Sequence, residues 1–383
     1  MGRWSSLDQS HFWRLTPLNE HEKQDLEEQS TEIPIIEDQP VTLQQVRLIC
    51  TANHGFAPYA QEELRRLFGK LKSTMLIPGE VFVVTLDAES FASAVERIQA
   101  HSPVFLRHMF PVGLELSSAA EETLVQETVN FLLRKEDLAG RRISVQVRKA
   151  ENSCWSESPG SLREVLQDKF SELEAEFTVQ DPEWIISVFA DEEKWYIGVS
   201  EPSTNLSDWN GGAIRFQRED GQISRAKFKL LEAEKQFSIP FSSFRNALDI
   251  GAAPGGWTSF LLERGLRVTA VDPAKMHESL KQHPGLRILN KNASEVKFKE
   301  NEFDLIVCDM SWSPKQMARL VTELLYSLEP GGTAIVTVKL LTKKPMALIK
   351  EITAWFEDSR MQIQAARQLF HNRDEITLYM VKY

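Results

Sequence analysis

The sequence is poor in cysteine and has no long apolar run. Its 383 residues include three cysteines, Cys50, Cys154 and Cys308, which lie far apart and form no CxxC pair. This spacing argues against a disulfide framework or a zinc site and predicts a protein of the reducing cytoplasm. No apolar run reaches the roughly 20 residues of a transmembrane helix. The first residues also lack the apolar core of a signal peptide.

The net charge of −11 argues at first against a nucleic-acid partner. The charge is unevenly distributed, however, because residues 223–383 carry 23 Lys and Arg against 18 Asp and Glu. Their net charge is +5, which leaves −16 for the 222 residues before them. This division fits a protein that contacts RNA through local patches. Ordinary solvated surface explains it equally well.

The length allows two or three domains, and the patterns along the chain divide it into five segments. Residues 1–45 show no periodicity and indicate an acidic leader. Residues 46–115 alternate strand and helix patterns, which predicts a ferredoxin-like α+β domain, and residues 116–200 form a second α+β unit. Residues 201–222 are rich in turn formers and predict a linker.

Residues 223–383 alternate apolar strands with helices throughout. This pattern predicts a Rossmann-like α/β domain, in which helices cover both faces of a doubly wound, mostly parallel sheet. Ligands of such sheets bind beyond the carboxyl ends of the strands. We therefore expect the functional residues of this domain at its strand ends.

The most informative stretch is residues 247–257, Ala-Leu-Asp-Ile-Gly-Ala-Ala-Pro-Gly-Gly-Trp. It predicts a buried strand, a glycine turn and a helix that begins near Trp257. The glycines let a ligand approach the backbone, and the helix N-terminus directs free N–H groups at it. Asp272 ends the next predicted strand, 23 residues after Asp249, where Rossmann-like units have an acid that binds a ribose. The stretch therefore predicts a nucleoside pocket.

The identity of the nucleoside follows from the turn itself. A dinucleotide fingerprint has the form Gly-x-Gly-x-x-Gly, whereas this stretch has Asp249 ahead of the turn and Ala253 in place of the second glycine. An acid at that position repels a pyrophosphate but suits the cationic methionine end of S-adenosyl-L-methionine (SAM). The turn therefore favours SAM, and a glycine-rich turn without any ligand is the alternative.

Four ionisable residues converge on the same predicted edge. Asp309 follows one strand, Lys339 ends the next, Glu375 opens the last strand, and Lys229 lies on the helix before the glycine turn. Lysine at a buried strand end is costly unless it is paired or used. We expect these residues either to form a structural salt-bridge cluster or to take part in catalysis.

Methyl transfer to a sugar 2′-hydroxyl suits this group of residues, because the hydroxyl needs a base and an in-line approach. A desolvated lysine beside another cation has a lowered pKa and can be that base. We assign this role to Lys339. Asp309 and Lys229 would orient it and the hydroxyl, and Glu375 would hold one of the lysines. No metal is required.

Several stretches resemble the FtsJ-type RNA 2′-O-methyltransferases. They are the glycine turn with its Pro-Gly-Gly-Trp, Ser-Arg-Ala-Lys-Phe-Lys-Leu-Leu-Glu-Ala at 224–233, Cys-Asp-Met at 308–310, Val-Lys-Leu at 338–340, and Ala-Arg-Gln-Leu-Phe-His-Asn-Arg-Asp-Glu-Ile-Thr at 366–377. The resemblance implies SAM as the cofactor and a catalytic tetrad of Lys229, Asp309, Lys339 and Glu375. The last block resembles the members that methylate a cytidine of 23S ribosomal RNA. This implies that RNA, either 23S rRNA or a large-subunit precursor, is the partner, with no DNA and no membrane.

The front of the chain carries a looser resemblance. Val-Arg-Lys-Ala-Glu at 147–151 and Trp-Tyr-Ile-Gly-Val-Ser at 195–200 resemble a THUMP RNA-binding module. This implies that residues 116–200 bind RNA, with Arg148 and Lys149 of one strand among the contacts, and that the back domain holds SAM and performs the chemistry. A structural α+β spacer is the alternative.

Two positions depart from the FtsJ-type pattern. Asn292 stands where these enzymes have an acid that binds the adenine amine, and an asparagine can still accept through its carbonyl. Ser311-Trp-Ser-Pro follows Asp309, near the expected target nucleotide. With the resemblance, the predicted cofactor-binding residues are Asp249, Gly251, Ala253, Pro254, Gly255, Gly256, Trp257, Asp272, Asn292 and Asp309.

Two other functions stay open from the sequence. One is a non-catalytic RNA-binding assembly factor that keeps the SAM fold only for stability, which the intact tetrad disfavours. The other is a nicotinamide oxidoreductase on the same fold, which the missing Gly-x-Gly-x-x-Gly disfavours.

Overall fold

Three sheets of four, five and seven strands follow one another along the chain. The computed structural model describes residues 43–117, 120–170, 174–218, 220–342 and 344–383. The predicted acidic leader, residues 1–45, lies almost wholly outside them. No helix in these ranges is long and apolar enough to cross a membrane.

The first sheet has the chain order strand, helix, strand, strand, helix, strand. Its elements are β1 (Gln44–Thr51), α1 (Ala57–Phe68), β2 (Lys72–Ile77), β3 (Val81–Ala88), α2 (Phe91–Ala100) and β4 (His108–Pro111). The spatial order is β2-β3-β1-β4. The sequence analysis missed β2 because this edge strand, Lys-Ser-Thr-Met-Leu-Ile, has no fully buried residue and hence no clear alternation.

The second sheet has the order β5-β9-β8-β6-β7. Its elements are β5 (Leu114–Ser117), α3 (Glu121–Leu133), β6 (Arg142–Lys149), α4 (Pro159–Lys169), β7 (Glu176–Phe177), β8 (Trp184–Ala190) and β9 (Lys194–Ser200). The sequence pattern of this unit predicts a helix from Ser161 to Phe177, which is wrong at its end, because α4 ends at Lys169. Phe177 instead pairs with Ile143 of β6. The domain boundaries drawn from the sequence stay predictions.

The predicted linker covers the polar side of β6. Gln146 Nε2 donates to the carbonyl of Asp208 at 2.6 Å, and Asn210 Nδ2 donates to the carbonyl of Val147 at 2.9 Å. The polar side chains Ser144 and Gln146 on this face of β6 are therefore buried rather than presented to solvent, and the neighbouring segment accepts the hydrogen bond from the Gln146 amide.

Arg148 and Lys149, expected to contact RNA, have intramolecular partners. The guanidinium of Arg148 donates to Thr51 Oγ1 and to Glu80 Oε1, both at 2.8 Å, and so ties the second sheet to the first. Lys149 Nζ donates to the carbonyls of Trp155 and Glu157, each at 2.8 Å. A sequence pattern cannot show these contacts, since most of the partners come from other elements.

The third sheet has the order β12-β11-β10-β13-β14-β16-β15. Its strands are β10 (Asn246–Ile250), β11 (Arg267–Val271), β12 (Leu286–Leu289), β13 (Phe303–Cys308), β14 (Leu328–Lys339), β15 (Met361–Arg367) and β16 (Glu375–Lys382). Its helices are α5 (Lys227–Gln236), α6 (Gly256–Glu263), α7 (Pro314–Leu324) and α8 (Pro345–Asp358). Strand β16 runs antiparallel to both of its neighbours, β14 and β15, and therefore opposite to the other six strands.

Helices cover both faces of the third sheet, so its strands are buried on both sides. Ile306 and Val336 lie in one apolar cluster, whereas the adjacent Leu305 and Ile335 lie in another on the opposite face. This confirms the predicted doubly wound, mostly parallel α/β domain. One helix was predicted to run to Leu328, but α7 ends at Leu324 and β14 already begins at Leu328.

Arg148→Ala should lower the free energy of unfolding by about 2 kcal/mol, because Glu80 loses a largely buried charged partner. Urea denaturation would measure this change. Arg163→Ala, at an exposed position of α4, is the matched control and should change stability by less than about 0.5 kcal/mol. Equal stability of the two variants would show that the contact between the first and second sheets contributes nothing.

Candidate active site

The third sheet brings four predicted residues to one edge. Strands β13 and β14 are parallel neighbours, so Asp309 and Lys339 emerge at the same edge. Because β16 is antiparallel to β14, its first residue, Glu375, lies directly opposite Lys339. Helix α5 supplies Lys229, which reaches this edge from outside the sheet.

The four side chains form one continuous chain of ion pairs. Lys229 Nζ lies 2.8 and 2.9 Å from the two carboxylate oxygens of Asp309 and 2.5 Å from Glu375 Oε1. The other oxygen of Glu375, Oε2, accepts a hydrogen bond from Lys339 Nζ. Glu375 is 2% exposed and Lys339 is 25% exposed. A buried carboxylate therefore bridges two ammonium groups, one of which faces solvent.

The charged groups in this chain of ion pairs shift one another's pKa values. Burial alone would lower the pKa of Lys229, but the negative charges of Asp309 and Glu375 outweigh it and raise that pKa. Burial alone would likewise raise the pKa of Glu375, yet the two lysines lower it. Lys229 is thus a permanent cation and cannot act as a proton acceptor near neutral pH.

Two further residues, which the sequence analysis did not identify, support the tetrad. Thr337 Oγ1 donates to Asp309 Oδ1 at 2.8 Å. Asn372 lies in the turn before Glu375, where its amide Nδ2 is 3.5 Å from Glu375 Oε1. Nothing in the local pattern distinguishes Thr337 from the other residues of a buried strand.

The glycine turn follows β10 at the same edge. Gly251 and Gly255 have φ angles of +74° and +114°, which favour glycine. A Cβ at Gly251 would lie 2.4 Å from Cγ of Met310, and one at Gly255 would lie 2.3 Å from Cδ1 of Leu280. These glycines are thus required by the packing of the protein itself, not only by a ligand. Gly256 opens α6, and the peptide bond between Ala253 and Pro254 is cis.

Trp257 does not face the turn. Its side chain is 3% exposed, and its Nε1 donates to the carbonyl of Ala226 at 2.9 Å, just before α5. Trp257 stays a predicted cofactor-binding residue, and its indole is buried against the segment just before α5. Its place in the Pro-Gly-Gly-Trp block reflects the packing of α6 against the helix that carries Lys229.

Asp272 lies across the turn from Ala253. Its Oδ2 accepts from the backbone N–H of Ala253 at 3.1 Å, and its Oδ1 accepts from that of Ala274 at 2.7 Å. Asn292 is exposed beyond the end of β12, and its Nδ2 donates to Glu295 Oε1 at 3.1 Å. Its side-chain carbonyl oxygen is the group that would accept a hydrogen bond from a ligand. Both residues lie at the ligand-binding edge of the sheet.

Asp249 is a buried carboxyl beneath the turn. It is 1% exposed, and its Oδ2 accepts from the neutral hydroxyl of Thr258 at 2.6 Å. Burial, together with the negative charges of Asp309 and Asp272, raises its pKa to about 7. A cationic group bound at the turn would lower this pKa and favour the carboxylate. The acids around the turn therefore fit a positively charged ligand such as the sulfonium and ammonium groups of SAM.

Comparisons with known proteins agree with this geometry. Residues 222–370 match the model of the FtsJ-like methyltransferase family. The protein named Ribosomal RNA large subunit methyltransferase M of Halorhodospira halophila is 34% identical over 176 residues, 45% of this chain and 50% of that protein. Its namesake of Psychromonas ingrahamii is 35% identical over 206 residues, 50% of this chain and 55% of that protein. The namesake of Shewanella sediminis is 26% identical over 309 residues, 76% of this chain and 83% of that protein.

The chain spans about half of the length of the first two of these relatives. Residues 222–370 form an FtsJ-like methyltransferase domain. The matched segment contains Lys229, Asp309 and Lys339, and it ends before Glu375. The ion pairs, and not the match to the family model, therefore associate Glu375 with the other three residues.

The raised pKa of Asp249 makes a prediction about stability. Folding favours its protonated form, so its favourable contribution is complete below the unfolded pKa of about 3.8 and is lost as pH rises through about 7. Asp249→Asn cannot ionise and should lack this dependence. The stability of the ligand-free protein relative to the Asp249→Asn variant should therefore fall between about pH 4 and pH 7.

Urea denaturation across this pH range measures the difference. Glu357→Gln removes an exposed carboxyl of α8 and is the control, which should show no such trend. A pH-independent difference between the protein and Asp249→Asn would contradict the raised pKa.

Proposed function

We propose that the chain is a SAM-dependent RNA ribose 2′-O-methyltransferase whose FtsJ-like domain carries the reaction. The observation that carries this proposal is the chain of ion pairs from Asp309 through Lys229 and Glu375 to Lys339. It lies beside the glycine turn, at the sheet edge where ligands of such domains bind. A cofactor site and an acid–base group therefore share one edge.

SAM supplies a methyl group on a sulfonium, which is the electrophile that such a transfer needs. The chain offers a distinct group to each part of SAM. Asp272 accepts hydrogen bonds from the ribose hydroxyls, and the carbonyl of Asn292 accepts from the adenine amine. The acid beneath the turn, Asp249, favours the cationic methionine end. Gly251 and Gly255 add no side chain of their own to this turn, against which the side chains of Met310 and Leu280 lie.

Lys339 is the general base in this proposal. It is more exposed than Lys229, Asp309 and Glu375, so its Nζ can meet the hydroxyl of a substrate. Glu375 orients Nζ of Lys339 through Oε2, while Lys229 neutralises the remaining charge of Glu375 and Asp309. After its ammonium group has released a proton to solvent, Lys339 accepts the hydroxyl proton as the oxygen attacks. The permanent cation, Lys229, then favours the developing negative charge on that oxygen.

The proposed substrate is RNA, because the 2′-hydroxyl that the base requires is absent from DNA. We further propose 23S ribosomal RNA, at a cytidine, in its free form or in a large-subunit precursor. The name of the relatives, Ribosomal RNA large subunit methyltransferase M, supports the choice of large-subunit ribosomal RNA. Trp312, which is 41% exposed in the loop after Asp309, offers a ring on which a base can stack. We place the reaction in the cytoplasm.

The front of the chain is proposed to bind this RNA. Residues 116–200 would be the THUMP-like module, after a ferredoxin-like domain at 46–115 and before the segment 201–222. Arg148 and Lys149 have partners within the protein, so their predicted contact with RNA would compete with these hydrogen bonds. With a net charge of −16 before residue 223, binding depends on shape and local patches.

Asp272→Ala should lower the affinity for SAM by about tenfold or more, because it removes two charge-assisted hydrogen bonds to the ribose. Calorimetric titration measures this affinity. Asp358→Ala, at the exposed end of α8, is the control and should bind SAM as the unchanged protein does. Unaltered binding by Asp272→Ala would place the ribose elsewhere. Tighter binding of NAD than of SAM would favour an oxidoreductase.

Lys339→Ala should leave SAM binding nearly unchanged while methyl transfer falls by about 100-fold or more, the scale expected for loss of a general base. Lys339→Arg should lose methyl-transfer activity as well, because a guanidinium does not release its proton. Transfer of labelled methyl groups to 23S rRNA measures both effects, with the exposed Lys350→Ala as the control.

Substantial turnover by Lys339→Arg would exclude Lys339 as the base. Mapping of ribose methylation in 23S rRNA from cells with and without the gene would identify the nucleotide. A non-catalytic assembly factor would leave the two maps identical.

A further inference from the structure

We infer that Asn53, in the first sheet's β1–α1 loop, is a positioning residue for Glu375 and thereby for the base Lys339. The inference rests on the proposed function. It assigns to the first sheet a part in catalysis, in addition to any part in RNA binding. The contacts that support it join residues more than 300 positions apart in the sequence.

The side-chain amide of Asn53 is hydrogen-bonded to the turn that precedes β16 and to one arginine. Its Nδ2 donates to the carbonyl of Leu369 at 2.8 Å and to that of Asn372 at 2.7 Å. Its Oδ1 accepts from Arg107. Asn53 is 6% exposed, so each lost contact would leave a buried polar group without its partner. These hydrogen bonds therefore fix where the turn lies.

The turn is closed on itself around Asn372, which is 1% exposed. Asn372 Oδ1 accepts from the backbone N–H of Leu369 at 2.9 Å and from Thr377 Oγ1 at 3.0 Å. Glu375 lies between Asn372 and Thr377 in the sequence. A shift of this turn would consequently move the carboxylate that orients Lys339.

Both neighbours of the turn hold it from opposite sides. On the first sheet's side, the carbonyl of Val104 accepts from the backbone N–H of Gln368 at 2.8 Å, and that of Leu106 accepts from Arg367 at 3.1 Å. On the other side, the carboxylate of Glu232 in α5 accepts from the N–H groups of Phe370 and His371 at 2.7 and 2.9 Å. Since α5 also carries Lys229, the turn aligns the two central members of the tetrad, Lys229 and Glu375.

This arrangement changes the expected division of labour. The back domain was expected to perform the chemistry alone, whereas the turn before Glu375 takes part of its hydrogen bonding from the first sheet. A misplacement of about 1 Å in a catalytic group can cost about 100-fold in rate. The first sheet therefore contributes to the turnover number and not only to substrate affinity.

The test uses Asn53→Asp in the full-length chain. This isosteric change keeps an acceptor for Arg107 but removes both donations to the turn and places a carboxylate against two carbonyls. We expect kcat to fall by about 10- to 100-fold, with KM for RNA, KM for SAM and the calorimetric SAM affinity within about twofold of the unchanged protein. Asn53→Ser, which keeps one donor and is the milder change, should have an intermediate effect.

Gln61→Glu is the matched control. It makes the same amide-to-carboxyl change within the first sheet's domain, where Gln61 Nε2 donates to Ser73 Oγ at 2.6 Å and does not contact the turn. Its kcat should stay within about twofold. In a Glu375→Gln background, Asn53→Asp should lower kcat by less than about a further twofold, because both changes act through the same carboxylate.

Hydrogen exchange of residues 368–377 provides a readout that does not depend on activity. Asn53→Asp should speed exchange in this segment, and Gln61→Glu should not. Unchanged exchange together with unchanged kcat would overturn the inference. A rise in KM for RNA at constant kcat would assign Asn53 to substrate binding instead. If the unchanged protein methylates no RNA, the proposed function fails, and the exchange experiment alone decides whether Asn53 positions the turn.

Discussion

The carboxylate of Glu375 is the constraint on which the rest of the site depends. At 2% exposure it requires positive partners, and it has two, Lys229 and Lys339. One partner comes from a helix and the other from a strand. This single ionised group therefore aligns α5, β14 and β16 at one edge. Asp309 completes the balance by pairing with Lys229 and Thr337, so two positive and two negative charges are held together.

The glycine turn has the opposite electrostatic character. Asp249 and Asp272 lie at the turn without a comparable pair of cations in the described contacts. Burial raises the pKa of Asp249 to about 7. The two halves of the edge thus differ, since one is internally neutralised and the other favours a cationic ligand. The proposed reaction would therefore use two adjacent halves of one edge, one for its acid–base group and the other for its cofactor.

The first and second sheets are coupled to this edge by buried polar contacts. Arg148 joins the second sheet to the first through Thr51 and Glu80, and Asn53 joins the first sheet to the turn before Glu375. Such contacts resist sliding because each displaced donor or acceptor would stay unsatisfied. A chain with a strongly acidic front and a mildly basic back therefore behaves as a connected body in residues 43–383 and not as two independent modules.

The sequence alone determined the alternation of strands and helices in residues 223–383, the glycine turn and the four tetrad positions. These features are local, and parallel strands bring their carboxyl ends to one edge whatever the details of packing. The edge strand β2 escaped prediction because half-exposed residues show no period. Only the tertiary structure decided that Trp257 packs under α5, that Arg148 is an internal ion-pair partner, and that Asn53 is hydrogen-bonded to the turn before Glu375. Burial and partners 31 to 319 residues away define those roles, and a pattern along the chain contains neither.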